Sequence, residues 1–292
     1  QILSKHMNQC RIRCMLTRIN YLDHTNRLST VKKSCQHHRP DSLIRKMRIT
    51  GLFSLRGAGR FLDINHNEEG KVQYILTHYA TYQHYTDEKA YFDYMAQVDM
   101  NLFAVETKPV TKHQSEQLLS QWVATYSWDT IQKELLNLQK RRNSTDDVLK
   151  FLAAPARLEF LVALSIKSKF PQVRVVPNYL CDDTGLPTST AGGNMGDIEC
   201  YEQTNGILVE VTMAEGRTQT MMEIWPIERH LNDFIEREQL PSQALFIAPS
   251  IYSDSLRQIQ FVRIETGRTI RAYPIEGFLQ YLSSAGTLYK EE

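Results

Sequence analysis

The stretch GNMGDIECYEQTNGILVEVTMAEGRTQTMMEIWPIERH, residues 193–230, decides the fold. Two runs with strand-like composition flank a turn at Thr204–Gly206, and a polar segment then leads into a helix over about residues 218–238. The Asn-Gly pair favours a tight antiparallel turn because both central residues of that turn need positive φ. The stretch therefore predicts a β-hairpin followed by a helix.

Helices and strands alternate on both sides of this hairpin. Upstream, the pattern predicts a helix near residues 146–168 and a strand over 173–180, followed by a loop rich in Gly, Pro and Ser. Downstream, it predicts a strand over 244–251, a short helix, a strand over 268–275 and a final helix from Glu276. This order predicts an α/β fold with a mixed sheet and flanking helices.

Residues 71–150 are predicted to be helical, because aromatic and aliphatic residues recur there at helical spacing. The Tyr-rich stripe of this region is more typical of a core than of a stacking platform for bases. A charged run over residues 140–147 interrupts the pattern. We therefore predict a helical linker over residues 71–145 and a separate domain over residues 146–292.

The segment before this linker is predicted to be a small basic element. Asp41 suits the N-cap of a short helix, and two strands joined by a glycine turn follow over residues 51–64. A helix followed by a basic hairpin resembles the end of a winged-helix unit, and an ordinary β-hairpin is the alternative. We assign residues 41–70 to a partial winged-helix-like DNA-binding element and residues 1–40 to a basic, poorly defined N-terminal segment.

The composition is typical of a globular protein, with 42% hydrophobic and 23% charged residues. No stretch approaches the roughly 20 apolar residues that cross a bilayer, and no secretory leader is present, so we expect a cytoplasmic chain without membrane contact. The five cysteines follow no regular framework and are predicted to be reduced. A zinc site built from Cys10, Cys14, Cys35, His37 and His38 is an alternative, but its spacing matches no compact finger.

Positive charge is concentrated at the start of the chain. Residues 1–60 contain 13 Lys and Arg against only Asp23 and Asp41, although the whole chain has a net charge of +1. Such a block suits DNA, whose affinity for proteins comes largely from the release of condensed counterions, and a solvated tail is the alternative. The side chains expected to contact DNA are Arg45, Lys46, Arg48, Arg56, Arg60 and, further along the chain, Arg217.

Two carboxylates of the hairpin are the candidates for chemistry. Asp197 opens one strand and Glu210 lies well along the other, so the turn can fold them toward each other. Two converging acidic side chains repel unless a cation lies between them, and Mg²⁺ accepts one or two carboxylates together with waters and phosphate oxygens. The pair therefore predicts a magnesium site, and an edge-strand Glu210 facing water is the alternative.

Several blocks of the sequence resemble the AlwI-type restriction endonucleases, a family that includes type IIS and strand-nicking enzymes. The similarity covers most of residues 40–250, and its blocks follow one another in the family's order. The blocks are RITGLFSLRGAGRFLDIN (48–65), RLEFLVAL (157–164), PNYLCDDTGLPTSTAGGNMGDIE (177–199), ILVEVTMAEGRTQ (207–219) and EIWPIERHL (223–231).

The resemblance implies a restriction-endonuclease-like mixed-sheet core, with acidic residues that bind Mg²⁺ for phosphodiester hydrolysis. Carried over by position, Asp197 and Glu210 are the core metal ligands, and Glu159 is a further acidic member of the metal and catalytic set. Glu223 and His230 are supporting catalytic groups near the scissile phosphate. The first block resembles the last winged-helix element of the family's recognition half.

The sequence departs from the pattern of the wider superfamily at two positions. Thr212 stands where a Lys usually orients the attacking water, and Gly196 stands where a Pro often precedes the Asp. His230 is a candidate to replace the lost cation, since an intact helix would place Glu223 and His230 on one face. Pro226 lies between them and can kink or restart that helix.

Taken together, the sequence predicts a Mg²⁺-dependent DNA endonuclease, of the type IIS restriction or strand-nicking kind, that acts on double-stranded DNA. One active site cuts one strand, so a double-strand break needs a transient homodimer or a second subunit. Family members carry a long recognition region upstream that is mostly absent here, which leaves independent recognition of a DNA site in doubt. The alternatives are a non-catalytic DNA-binding or partner subunit and a structure-specific nuclease of DNA repair.

Overall fold

The structure, a computed structural model, describes residues 40–79, 87–108 and 110–291. The predictions for residues 1–39, including the zinc alternative, lie outside the described residues. The described chain forms two compact units, which divide at Val110 and Thr111, and the short segment Asp182–Thr184 belongs to the first unit. This division falls well before residue 145, where the sequence predicts a domain boundary. The division concerns compactness alone, so the predicted functional domains stay predictions. Within the described ranges, no helix combines the length and apolar character of a membrane span.

The first unit contains a helix, a two-stranded hairpin and two further helices. Strand β1 pairs antiparallel with β2 from Phe53↔Ile64 to Arg56↔Phe61. Gly57, Ala58 and Gly59 of the connecting turn all have positive φ, as the glycines predict. The predicted helix and hairpin are therefore confirmed, whereas their membership of a winged helix stays a prediction. The elements are α1 (Pro40–Ile49), β1 (Phe53–Arg56), β2 (Phe61–Ile64), a 3₁₀ turn (His66–Glu68), α2 (Glu69–His78) and α3 (Glu88–Phe103).

The second unit is built on a five-stranded mixed sheet with flanking helices. Its helices and strands are α4 (Lys112–Thr125), α5 (Trp128–Gln139), a 3₁₀ turn (Leu149–Phe151), α6 (Ala154–Lys169), β3 (Arg174–Pro177), β4 (Tyr179–Cys181), β5 (Pro187–Ala191), β6 (Ile198–Glu202), β7 (Asn205–Val211), α7 (Gly216–Met222), α8 (Ile224–Glu238), β8 (Ser242–Ala248), α9 (Ser253–Thr266), β9 (Ile270–Pro274) and α10 (Ile275–Ser284).

The sheet has the strand order β3-β6-β7-β8-β9. Strands β3, β6 and β7 are antiparallel neighbours, whereas β8 and β9 join in parallel. Strands β4 and β5 form a separate two-stranded ribbon beside it. This arrangement confirms the predicted α/β class with a mixed sheet and flanking helices.

The β6–β7 hairpin exists, but the predicted turn at Thr204–Gly206 is wrong, because the loop of the hairpin comes earlier in the chain. Glu202 pairs with Asn205, so the two-residue loop is Gln203 and Thr204, and Gln203 takes the positive φ of 54°. Gly206 lies within β7, where a Cβ would come 2.5 Å from Ser242 Oγ and 2.6 Å from a ring atom of Phe234. The glycine therefore serves close packing rather than the turn.

The single helix predicted over residues 218–238 is also wrong, because the structure divides it at Glu223 into α7 and α8. Pro226 stands at the third position of α8. A proline has no N–H to donate and its ring crowds the carbonyl four residues earlier, so the helix breaks just before it. The break turns Glu223 into a junction residue between the two helices.

Helix α8 fixes the position of the site by packing its apolar face on the sheet. Ile227, Leu231 and Phe234 are at most 2% exposed and belong to one core cluster with Leu208 and Phe246. Each such side chain stabilises the fold by about 1.5–3 kcal/mol through burial. Because this contact sets the rotation of α8, it also determines where the other polar and charged side chains of the helix point.

Candidate metal centre

Asp197 and Glu210 come together at one end of the β6–β7 hairpin. The last paired residues are Ile198 and Val209, and continuing the antiparallel pairing by one residue places Asp197 opposite Glu210 on the same face. The two side chains lie close enough to shift each other's pKa values. The Val211 N–H donates to Asp197 Oδ2 at 2.7 Å. The hairpin therefore holds both carboxylates in one place, as the sequence predicts.

The two carboxylates are hard to ionise together. Glu210 is 8% exposed, and burial raises its pKa, although the hydrogen bond and charge of His230 act in the opposite direction. Burial also raises the pKa of Asp197 well above its usual range, and the charges of Glu210 and Glu159 add to that effect. A cation between the carboxylates would remove the penalty, because it favours the ionised form of both.

Glu159 is a third carboxylate of this cluster. It lies in α6, whose residues from Ala156 to Ile166 are all buried, and it is 3% exposed. Burial and the charge of Glu210 raise its pKa to about 8, against a hydrogen bond of 3.0 Å that its Oε2 accepts from the Ala191 N–H. Glu159 is therefore close enough to Glu210 for the two charges to interact.

Glu223, at the junction between α7 and α8, is a fourth carboxylate near the cluster. Its charge raises the pKa of both Asp197 and Glu210 as a smaller contribution. Thr212 Oγ1 donates to Glu223 Oε1 at 2.7 Å and accepts from the Ala214 N–H at 3.0 Å. Thr212 therefore does not replace the expected Lys as a cation. It orients Glu223 instead.

His230 is an ionisable side chain of α8 that contacts the cluster. Its Nδ1 lies 2.8 Å from Glu210 Oε1, and its Nε2 lies 3.3 Å from the Gly193 carbonyl oxygen. Both neighbours accept hydrogen bonds, so the doubly protonated ring fits the position. The hydrogen bond with Glu210 is the largest cause of the raised pKa of His230, and burial opposes it.

The number of side chains that could hold one metal ion at this site is limited. Within residues 40–79, 87–108 and 110–291, no three His, Cys, Asp or Glu side chains are arranged so that all could hold one metal ion. Mg²⁺ does not require three, since one or two carboxylates with waters and phosphate oxygens suffice. The Asp197–Glu210 pair fits this requirement, whereas the carboxylate of Glu159 is engaged by the Ala191 N–H.

The residues predicted to contact DNA occupy different environments. Arg48 is 1% exposed and forms an ion pair of 2.7 Å with Asp182 inside the first unit, so its guanidinium is not presented to a phosphate. Arg56 pairs with Asp183 at 2.5 Å. We therefore assign Arg48 a structural role, whereas the contact of Arg56 with DNA stays a prediction. Lys46, Arg60 and Arg217 are exposed, and Arg45 is partly buried.

Sequence reasoning missed the groups that position Asp197. Asn178 donates from its side-chain amide to the Gly196 carbonyl oxygen at 2.7 Å, and its backbone N–H donates to the Asp197 carbonyl oxygen at 2.9 Å. A Cβ at Gly196 would lie 2.3 Å from Leu208 Cδ1, which accounts for a glycine before the Asp. The one signal in the sequence is a polar Asn that follows the apolar residues 175–177 in the strand-like run 173–180.

The fold and the site define an α/β protein with a mixed sheet and a cluster of buried carboxylates at one end of a hairpin. The model of the AlwI restriction endonuclease family matches residues 125–275, just over half of the chain, and the chain belongs to this family. Membership supports a DNA endonuclease, for which a divalent metal is the general cofactor. The resemblance seen in the sequence is thereby confirmed.

Two solved structures resemble the chain in part. The small subunit of the heterodimeric restriction endonuclease R.BspD6I is 20% identical, with a TM-score of 0.46, over 54% of this chain and 78% of that one. Restriction endonuclease FokI is 14% identical, with a TM-score of 0.39, over 59% of this chain and 31% of that one. A comparison with curated protein sequences gives no significant match.

Proposed function

We propose that the chain is a Mg²⁺-dependent DNA endonuclease, of the type IIS restriction or strand-nicking kind, that hydrolyses one phosphodiester strand per active site. The observation that carries this proposal is the meeting of Asp197 and Glu210 at the end of the hairpin, where burial raises both pKa values and the charge of Glu210 raises that of Asp197 further. Buried acidic groups with strongly raised pKa values cluster at functional sites more than elsewhere.

In this proposal Asp197 and Glu210 hold the metal ion. Bound there, Mg²⁺ supplies polarisation of the scissile phosphate and a lowered pKa for an attacking water. The Val211 N–H fixes one oxygen of Asp197, and His230 fixes one oxygen of Glu210. The protein therefore presents both carboxylates in a set orientation before DNA arrives, so that little reorganisation is needed.

Three neighbouring groups support the reaction. Thr212 holds Oε1 of Glu223, and we assign Oε2 of Glu223 as the acceptor of the proton that the attacking water loses. His230 contributes positive charge beside Glu210, in place of the Lys that Thr212 replaces. Glu159, with a pKa raised by burial, completes the acidic environment from α6, beside the two carboxylates that we assign to the metal.

The proposed partner is double-stranded DNA. We assign backbone contacts to Arg45, Lys46, Arg60 and Arg217, because Lys and Arg neutralise phosphates without reading the sequence. One carboxylate cluster can act on one strand at a time. A double-strand break would therefore need two copies of the chain or a partner subunit with its own site.

The test is cleavage of supercoiled plasmid in Mg²⁺ by the wild type, Asp197→Ala and Glu210→Ala, with Asp233→Asn as a matched control. Asp233 is an exposed acidic residue of α8 outside the cluster. We expect open-circular product from the wild type and the control, no product from the two alanine variants, and none in EDTA. Equal background from all four proteins would overturn the proposal and favour a non-catalytic DNA-binding subunit. A preference for branched DNA over plasmid would instead favour a structure-specific repair nuclease.

A further inference from the structure

Asn178 occupies the single position between β3 and β4 and bonds to the chain on both sides of Asp197. Its side-chain Nδ2 donates to the Gly196 carbonyl oxygen at 2.7 Å, and its backbone N–H donates to the Asp197 carbonyl oxygen at 2.9 Å. These two carbonyls belong to the peptide groups that precede and follow the Asp197 Cα. One residue therefore fixes both peptide planes from which the Asp197 side chain projects.

The orientation of this amide follows from its neighbours. Besides the Gly196 carbonyl, Nδ2 lies 3.3 Å from Glu199 Oε1. Both neighbouring oxygens are acceptors, so only the donor end of the Asn178 amide satisfies them. Replacing that donor by an acceptor of the same shape would place like partial charges against each other at both contacts.

The segment before Asp197 needs such a restraint. Residues 192–195 are exposed, and the run Gly192, Gly193 and the later Gly196 gives the backbone many accessible conformations. Strand pairing of β6 begins only at Ile198. Asp197 therefore stands between a glycine-rich loop and the sheet, where the position of its carboxylate depends on contacts outside the strand ladder.

Asn178 is itself anchored through Glu199, a carboxylate that is 1% exposed. Glu199 accepts from Lys112 of α4 at 2.9 Å, from Arg237 of α8 at 2.7 Å and from the Tyr201 hydroxyl at 2.9 Å. Two helices and a strand thus converge on the carboxylate that receives Asn178. The anchor is rigid because its charge is neutralised and its hydrogen bonds are satisfied.

We propose that Asn178 is a positioning residue that holds Asp197 in the orientation required for metal binding. The inference rests on the proposed function, because it assigns Asp197 to the metal. Partners of metal ligands outside the coordination sphere commonly contribute 10–100-fold to metal affinity or activity, and Asn178 acts on the ligand's backbone in that manner.

The experiment compares the wild type with Asn178→Asp, which keeps the shape but removes the donor, and Asn178→Ser as a milder second variant. The matched control is Thr188→Val, which removes a hydrogen bond from the ribbon to the Leu180 carbonyl without touching Asp197. Three quantities are measured: Mn²⁺ affinity of the DNA-free protein by electron paramagnetic resonance, the Mg²⁺ concentration for half-maximal plasmid cleavage, and the unfolding midpoint in EDTA.

We expect Asn178→Asp to weaken Mn²⁺ binding about 10–100-fold and to raise the half-maximal Mg²⁺ concentration by a similar factor. Asn178→Ser should lose less, and Thr188→Val should bind metal as the wild type does. Unchanged Mn²⁺ affinity in both Asn178 variants, with only a lower unfolding midpoint, would overturn the inference and leave a structural role. A wild type that binds no Mn²⁺ would overturn the proposed function itself, and the inference with it.

Discussion

Two buried carboxylates on the same face of one hairpin behave in opposite ways. Glu199 pairs with Leu208 across the strands, and Glu210 lies two residues beyond Leu208 on β7. Burial works against ionisation of both side chains. Lys112, Tyr201 and Arg237 more than offset that effect at Glu199 and lower its pKa, whereas the pKa of Glu210 stays raised despite His230.

Glu199 and Glu210 are both buried, and their pKa values differ because neighbouring cations and hydrogen-bond donors offset the burial of Glu199 but not that of Glu210. A buried charge is tolerated when cations and hydrogen bonds satisfy it, and Glu199 has two cations and two further donors. Glu210 shares His230 with a cluster that also contains Asp197, Glu159 and Glu223. Excess negative charge at one place is costly to the fold, and a cationic ligand would offset that cost, which in our proposal is a metal ion. A buried charge that is paired and hydrogen-bonded, such as that of Glu199, indicates a structural role.

Asp197→Asn should have the largest effect, because it keeps the shape and an oxygen for the Val211 N–H but removes a charge from the cluster. We expect cleavage to fall by at least about 10³-fold, because several kcal/mol of metal-derived stabilisation would be lost. In EDTA near pH 7 the variant should unfold at a higher temperature than the wild type. A carboxyl group with a raised pKa in the folded state destabilises the protein above its unfolded-state pKa, and Asn removes that penalty. Cleavage kinetics and thermal unfolding measure the two effects.

Glu199→Ala should change stability in the opposite direction. We expect a loss of about 1–3 kcal/mol in the free energy of unfolding, because a buried carboxylate with several charged and neutral donors is removed. Lys112 and Arg237 are half-exposed and can turn to water, which limits the loss. Urea unfolding measures it. A variant as stable as the wild type would show that Glu199 is not the structural anchor described above.

Thr212→Val tests the hydrogen bond that orients Glu223 within the acidic cluster. The substitution keeps the volume and removes the hydroxyl that donates to Glu223 Oε1 at 2.7 Å. We expect cleavage at saturating Mg²⁺ to fall about tenfold, equivalent to about 1.4 kcal/mol, since Glu223 loses its orientation but keeps its charge. An unchanged turnover rate would remove Glu223 from the proposed proton transfer.

Asp183, in the first unit, is another carboxylate whose charge is paired and hydrogen-bonded. Burial works against its ionisation, but hydrogen bonds from Arg56 and Ser54 and the charge of Arg56 lower its pKa. A lowered pKa contributes stability above the unfolded-state value of about 3.9 that is lost as the pH falls through the folded-state value. Asp183→Asn should therefore cost about 1–2 kcal/mol at pH 7, and the gap from the wild type should shrink below about pH 4. Urea titrations across this range check the sign, and a gap that widens on acidification would contradict it.

The sequence alone predicts the hairpin, the meeting of its two carboxylates and the mixed sheet, because alternation and block order depend on local patterning. It mispredicts the turn, since Gly206 is selected by contact with Phe234 and Ser242, which only the folded chain brings together. A turn centred on Asn205 and Gly206 would also have shifted the strand pairing and separated Asp197 from Glu210. The meeting of the carboxylates is therefore predicted correctly, but the turn that the sequence offers as its cause is not the one that produces it.

Other features of the site depend on long-range contacts that no local pattern reveals. Arg48 resembles its basic neighbours in sequence, and only its pairing with Asp182, 134 residues away, identifies it as structural. Asn178 is one polar residue in a strand-like run, and its importance comes from hydrogen bonds to a loop 18 residues later. The break of the helix at Glu223 was foreseeable from Pro226, but the contact between Glu223 and Thr212 was not.

The most direct measurement is a crystal structure of the protein with Mn²⁺, with data collected at the manganese absorption edge to locate the metal by its anomalous scattering. We expect one strong peak within coordination distance of both Asp197 and Glu210, and no such peak in Asp197→Asn. A peak bound by other residues, or wild-type crystals with no peak between these two carboxylates, would contradict this expectation.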